Sequence, residues 1–197
     1  MIKYAMMALG AAICLAAPAS AAEPQATVAD DSAGQSIGGP FMLINQNGDS
    51  VTDEDFAGAF MLIAFGYTNC PDICPATLMT MASAINILGP DAAKVRPIFI
   101  SVDPARDTPE RLKEYVESFG PRFVGLTGPE PFVANAAKKY GVTYSQVANP
   151  SGGYSVDHTA GIFLMGPDGA FVKRFSYEIS AKELAASILE KLRSPTQ

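Results

Sequence analysis

Two cysteines stand four positions apart in GYTNCPDICPATL, residues 66–78, and a proline follows each, giving Cys70-Pro71 and Cys74-Pro75. A pair so spaced suits a disulfide that closes a small loop, a dithiol that exchanges electrons with other thiols, or two soft donors to a metal. The staple gains little, because few residues are enclosed and the loop entropy removed from the unfolded chain is small. The prolines restrict the loop and hold it on the surface side of the preceding strand, which is odd for a plain staple. A dithiol exchanger usually has two residues between its cysteines; three change the loop strain and hence the redox poise.

The third candidate donor is His158, the one histidine of the chain, in SVDHTAGIFLM. A lone histidine is by default a surface or hydrogen-bonded residue. Here it lies beside an apolar run that reads as a sheet strand, and the adjacent Asp157 offers the outer acceptor that ligating imidazoles usually have. Two thiolates and one imidazole form a soft three-donor set. Structural zinc takes four ligands and iron–sulfur clusters four cysteines, so both are short of donors. Copper accepts two sulfurs and one nitrogen, with Cu(I) favoured by the thiolates and Cu(II) admitted by the imidazole. Met79 and Met81 are expected to fill core rather than bind metal. Phe65, Tyr67 and Phe163 are expected to wall the site against water.

The cysteine loop needs a rigid mount. FMLIAFGY, residues 60–67, is a continuous apolar run of the kind that forms a strand buried on both faces, and it leads directly into the loop. A helix is expected from about Pro75, with Leu78, Met81, Ala82, Ile85 and Leu88 at helical spacing and Gly89-Pro90 as its stop. On that reading Cys74 caps the helix and Cys70 lies one turn earlier. Both sulfurs then face the positive end of the helix dipole, which favours thiolate over thiol.

Around this unit, Asn47-Gly48 signals a hairpin, and TDEDFAG begins a short helix on a capping threonine. VRPIFISV is a second buried strand. Asp107 or Thr108 caps the helix DTPERLKEYVESFG, and the loop residues Asp103, Arg106 and Asp107 read as caps and salt bridges. FVGLTG, a helix through EPFVANAAKKYG, an extended VTYSQV, a hairpin turning at Pro167-Asp168-Gly169 and an amphipathic SAKELAASILEKLRS complete the chain. Strands alternating with helices, then a terminal hairpin and helix, predict an α/β fold with a central mixed sheet flanked by helices.

The 197 residues, 48% of them hydrophobic, suffice for one domain, expected over residues 39–195. A net charge of −6 lacks the basic footprint of a nucleic-acid binder. Residues 1–22 have the layout of a signal peptide: Lys3, an apolar run, Pro18, then small residues. Cys14 lies in that run, but Ile13 is too bulky for a lipid-attachment site. No later apolar run reads as long enough to span a bilayer, and residues 23–38 read as a disordered leader. Export places Cys70 and Cys74 in an oxidising compartment, where a disulfide must be reduced before it can take up metal. A periplasmic thiol reductant is thus an expected partner.

GYTNCPDICP, SVDPARDTPERLKEYVESFG and DHTAGIFLMGPDG follow one another across most of residues 40–175. Together they resemble the SCO/SenC family of copper-binding proteins, which assist assembly of the copper centre of cytochrome c oxidase. The resemblance implies a thioredoxin-like fold with an extra N-terminal β-hairpin, and copper held by Cys70, Cys74 and His158. It implies cytochrome c oxidase subunit II as partner, receiving copper or having its cysteines kept reduced, with another copper chaperone as a further candidate. Asp72 resembles the family's outer carboxylate, against the plainer reading of an exposed turn residue. Two features depart from the pattern. Asn69 stands where relatives often carry histidine, and the N-terminal segment looks cleavable where many relatives have a longer anchor. The alternative function is a thiol-disulfide oxidoreductase working through Cys70 and Cys74 without metal.

Overall fold

The computed structural model describes residues 37–150 and 152–193. Residues 1–22 and nearly all of the expected leader lie outside them. The described chain opens at Ile37, which packs against the core, and Gly38 donates its N–H to the Lys139 carbonyl at 2.8 Å.

Nine strands and four helices follow, with short 3-10 turns between them. The strands are β1 (Met42–Asn45), β2 (Ser50–Thr52), β3 (Phe60–Gly66), β4 (Val95–Ser101), β5 (Val124–Thr127), β6 (Tyr144–Ala148), β7 (Tyr154–His158), β8 (Ile162–Met165) and β9 (Phe171–Phe175). The helices are α1 (Ile73–Leu88), α2 (Pro109–Glu117), α3 (Glu130–Lys139) and α4 (Ala181–Arg193). Seven strands form one mixed sheet in the order β2-β1-β5-β4-β3-β8-β9, with β3, β4 and β5 parallel. The hairpin β1–β2 turns at Asn47-Gly48, and Gly48 adopts φ 88°, the left-handed conformation that favours glycine.

β3 shows why an unbroken apolar run was needed. Alternate residues point to opposite faces of a strand. Leu62 and Ala64 join the core under α1, α2 and α4, whereas Met61, Ile63 and Phe65 join the core on the α3 side. Both sets are fully covered, and β3 lies between β4 and β8 inside the sheet. The loop that leaves its carboxyl end therefore starts from a fixed platform. α1 covers one face with Leu78, Met81, Ala84, Ile85 and Leu88. The stretch Ile73–Lys94 is long and apolar enough to cross a membrane by length and composition, contrary to the reading above. Its apolar side is the interior face of the domain, which accounts for that composition.

Two local expectations are corrected. α1 begins at Ile73, with Asp72 in the N-cap position, not at Pro75. Pro75 is then the third helical residue, where the missing N–H has no intrahelical partner to lose. The second correction is β7, a strand where the sequence pattern marks none. It pairs antiparallel with β6 from Tyr144↔His158 to Ala148↔Tyr154, as a two-stranded arm separate from the main sheet. Met81 is buried as expected, but Met79 is 62% exposed and fills no core.

Candidate metal centre

Cys74 sits in the first turn of α1 and is 3% exposed, while Cys70 in the loop is half-buried; both are free thiols. The Cys74 N–H points at Cys70 Sγ, 3.4 Å away. From the other side, across 84 residues of sequence, His158 at the end of β7 brings Nε2 to 3.4 Å from Cys74 Sγ. Cys74 is thus the common neighbour of the other two. Among the described residues no three His, Cys, Asp or Glu side chains already form a closed metal cluster.

The imidazole is oriented by its other nitrogen. Nδ1 lies 3.2 Å from the Thr159 carbonyl, which accepts a hydrogen bond only if Nδ1 carries the proton. Nε2 is then the free acceptor and faces the sulfur. The Tyr67 ring meets the imidazole edge-on, with centroids 6.2 Å apart and planes at 88°. Tyr67, Phe65 and Phe163 are all buried, Tyr67 against the imidazole and Phe163 edge-on to Phe65.

Burial lowers the pKa of His158, opposed by the Thr159 carbonyl and Asp157, and so favours the neutral, ligating form. Burial also pushes the Cys74 thiol well up, and the neighbouring Cys70 adds to the rise. The expected preference for thiolate at this position is thus reversed in the metal-free protein, because desolvation outweighs the helix dipole. A soft cation supplying positive charge would restore it.

Neither expected outer carboxylate hydrogen-bonds the imidazole or a cysteine in the metal-free protein. Asp157 is exposed, since it precedes His158 on a strand and the pleat sends neighbours to opposite faces. The Thr159 carbonyl holds the ring instead. Asp72 is exposed, and its side chain makes no capping bond.

The loop from Val102 to Thr108 does more than cap α2. Thr108 is the cap, accepting from the Arg111 N–H. Asp107 is fully buried: its carboxylate accepts from the Thr68 N–H at 2.9 Å, the Thr68 hydroxyl at 2.6 Å and the Ser101 hydroxyl at 2.7 Å. Arg111 donates to the Thr68 hydroxyl at 2.7 Å and to the Asn69 side chain. The start of the cysteine loop is therefore pinned by a buried carboxylate and a cation from elsewhere in the chain. Close approach matters as well, for a Cβ on Gly66 would stand 2.7 Å from Cys74 Sγ.

The sequence matches the family model described as SCO1/SenC over residues 29–193. It is 43% identical over 150 residues to the SCO2-like protein RP587 of Rickettsia prowazekii, covering 75% of this chain and 73% of that one. Among solved structures it resembles copper-bound Bradyrhizobium japonicum ScoI at a TM-score of 0.73 and 45% identity, over 78% of this chain and 98% of that one. It also resembles BsSco, a member of the Sco family of cytochrome c oxidase assembly proteins in which a disulfide switch has been identified. That match has a TM-score of 0.63 and 28% identity, covering 79% of this chain and 93% of that one. The sheet flanked by helices is the thioredoxin-like α/β arrangement of these structures. A family match over most of the sequence, together with the shared fold, shows that this chain belongs to the SCO1/SenC family.

Proposed function

We propose that this protein is a periplasmic copper carrier whose ligands are Cys70, Cys74 and His158. Copper is its cargo, delivered to the copper centre of cytochrome c oxidase subunit II. The observation that carries the reading is the approach of His158 Nε2 to 3.4 Å from Cys74 Sγ, from a strand far along the chain. The donor set fits: two unoxidised sulfurs and an imidazole whose free nitrogen faces them. The copper bound by Bradyrhizobium japonicum ScoI supports the same cargo here. The signal-like residues 1–22 support export by a cleaved leader.

Each side chain has a separable task. The two thiolates of Cys70 and Cys74 would hold Cu(I) as soft donors, and His158 would add a nitrogen suited to Cu(II). The metal-free site keeps its buried thiol protonated, so loading displaces a proton from Cys74. His158→Ala should therefore weaken Cu(II) binding by at least about tenfold, the scale of a lost or misplaced metal contact, and alter Cu(I) binding far less. Competition titrations against chelators of each ion measure both. Unchanged Cu(II) affinity would remove His158 from the ligand set and the reading with it.

A redox role accompanies the copper role. Cys70 is the more exposed sulfur and receives the Cys74 N–H, so an incoming disulfide meets Cys70 first. The disulfide switch identified in BsSco supports such chemistry. Oxidation of the pair would remove both sulfur donors, and a thiol reductant would restore them. Copper loading of oxidised protein without reductant would refute this coupling.

A further inference from the structure

We propose that Arg106, Asp103 and Tyr154 form a clasp that sets the position of His158, which makes them positioning residues for the imidazole. The inference rests on the reading of His158 as a copper ligand and deepens it.

β7 has no place in the main sheet. Its ladder partner is β6, whose residues are largely exposed. Tyr154, Val156 and His158 alternate along β7 and share its inward face. Val156 is buried in the core, and its backbone hydrogen-bonds Tyr67, which ties the middle of the strand but not its start. The clasp supplies direction. Arg106 Nε donates to the Asp103 carboxylate, and Nη1 donates to the Tyr154 carbonyl at 2.8 Å. The guanidinium carbon lies 3.7 Å from the centroid of the Tyr154 ring, a stacked cation–π contact. The Tyr154 hydroxyl returns to Asp103 with a 2.8 Å bond, so the strand is gripped by its backbone, its ring and its hydroxyl.

The grip is joined to the cysteines. Asp103 takes the Ser101 hydroxyl oxygen as acceptor for its N–H at 3.0 Å, and that hydroxyl donates to Asp107, which holds Thr68 of the cysteine loop. Arg106 also lies 5.7 Å from the ring centre of Tyr67, whose other neighbour is His158. One short loop thus fixes both ligand-bearing segments relative to each other. Stability is a poor reason for this arrangement. Asp103 is buried and Arg106 only partly so, and taking that carboxylate out of water offsets much of the pair's attraction, while Arg106 Nη2 is buried with no hydrogen-bond partner among the described residues. Geometry is the better reason.

The test compares Arg106→Lys and Tyr154→Phe with the parent and with His158→Ala. Lysine keeps the charge opposite Asp103 but loses the planar fork that reaches the Tyr154 carbonyl. Phenylalanine keeps the ring and loses only the hydroxyl. Each should weaken Cu(II) binding about tenfold, in the range of outer-contact substitutions, and change Cu(I) binding less than about twofold. In the metal-free protein, the ring proton resonances of the single histidine should lose the shift that Tyr67 imposes. Unchanged Cu(II) affinity in both variants, or equal loss of both copper ions, would overturn the clasp while leaving the ligand assignment standing. If His158→Ala also binds Cu(II) like the parent, the ligand assignment and the clasp fall together.

Discussion

Gly66 is the last residue of β3, and a methyl group there tests how tightly the site is packed. A Cβ would stand 2.7 Å from Cys74 Sγ and 2.8 Å from Phe99 Cε2. Ordinary contact begins at 3.4 Å, so the shortfalls are 0.7 Å (3.4 less 2.7) and 0.6 Å (3.4 less 2.8). Both neighbours are buried, and the space beside them is a small cavity that they line together with Ala64 and His158. Phe99 is 1% exposed and packed in the core with Leu78 and Leu112, and Cys74 is 3% exposed with His158 Nε2 3.4 Å from its sulfur. Forcing one methyl into a full core costs about 1–3 kcal/mol, and the stiffer unfolded chain returns about 0.4–1 kcal/mol.

Gly66→Ala should therefore lose about 1.3 kcal/mol at the midpoints of those two ranges, about 2 less about 0.7. Urea denaturation of the reduced, metal-free protein should show a lower midpoint with an unchanged slope. The second consequence is local. Phe99 is packed against the Tyr115 ring, so the sulfur is the more mobile partner and its distance to the imidazole should change. Cu(II) affinity should fall with it, by about tenfold for a displacement of this size. A variant as stable as the parent would show that the strand and helix part freely here. The close packing taken to fix Cys74 would then be refuted.

Other outcomes follow from the same contacts. Asp107→Asn keeps one oxygen for three donors and should cost about 2 kcal/mol, seen as a lower denaturation midpoint together with faster alkylation of Cys70 as Thr68 is released. A small alkylating reagent near neutral pH should modify Cys70 well before Cys74, since burial keeps the Cys74 proton on; equal labelling in peptide maps would contradict this. Stability of the reduced protein should fall at both ends of the pH scale. His158 is held below its ordinary 6.5, so its contribution is present above that value and lost as the pH drops and the unfolded chain takes up a proton. Cys74 is held above its ordinary 9.0, so its contribution is full below that value and lost as the pH rises. Each edge should shrink in the matching variant, His158→Gln or Cys74→Ala, and an edge unchanged in its variant would refute that assignment.

Where one residue's pattern determines its own environment, the sequence was readable. β3 needed two apolar faces and showed an unbroken apolar run; α1 needed one and showed Leu78, Met81, Ile85 and Leu88 at helical spacing. The hairpin turn at Asn47-Gly48 and the Thr108 cap are equally local. β7 was missed because Tyr154-Ser-Val-Asp-His is short and half polar and follows Gly152-Gly153, so nothing distinguishes it from a loop until β6 supplies a partner. The exposure of Asp157 follows from the same strand. Adjacency in sequence suggests a second contact to the same ligand in a loop, yet in a strand it guarantees the opposite face.

The Asp103–Asp107 loop shows a different limit. Its carboxylates look like helix caps because capping residues of that type commonly precede a proline-started helix. Burial decides otherwise: Thr108 takes the cap, and Asp107, fully buried, takes the backbone of the cysteine loop 39 residues earlier. The same opposition governs Cys74, where position at a helix start argues for thiolate and burial argues more strongly for thiol. Both cases turn on burial, which depends on what the rest of the chain places around a residue and is not written in its neighbours. Selectivity for a soft cation follows from this. A buried thiol that resists ionisation in the empty site surrenders its proton only to an ion that bonds sulfur strongly enough to replace it.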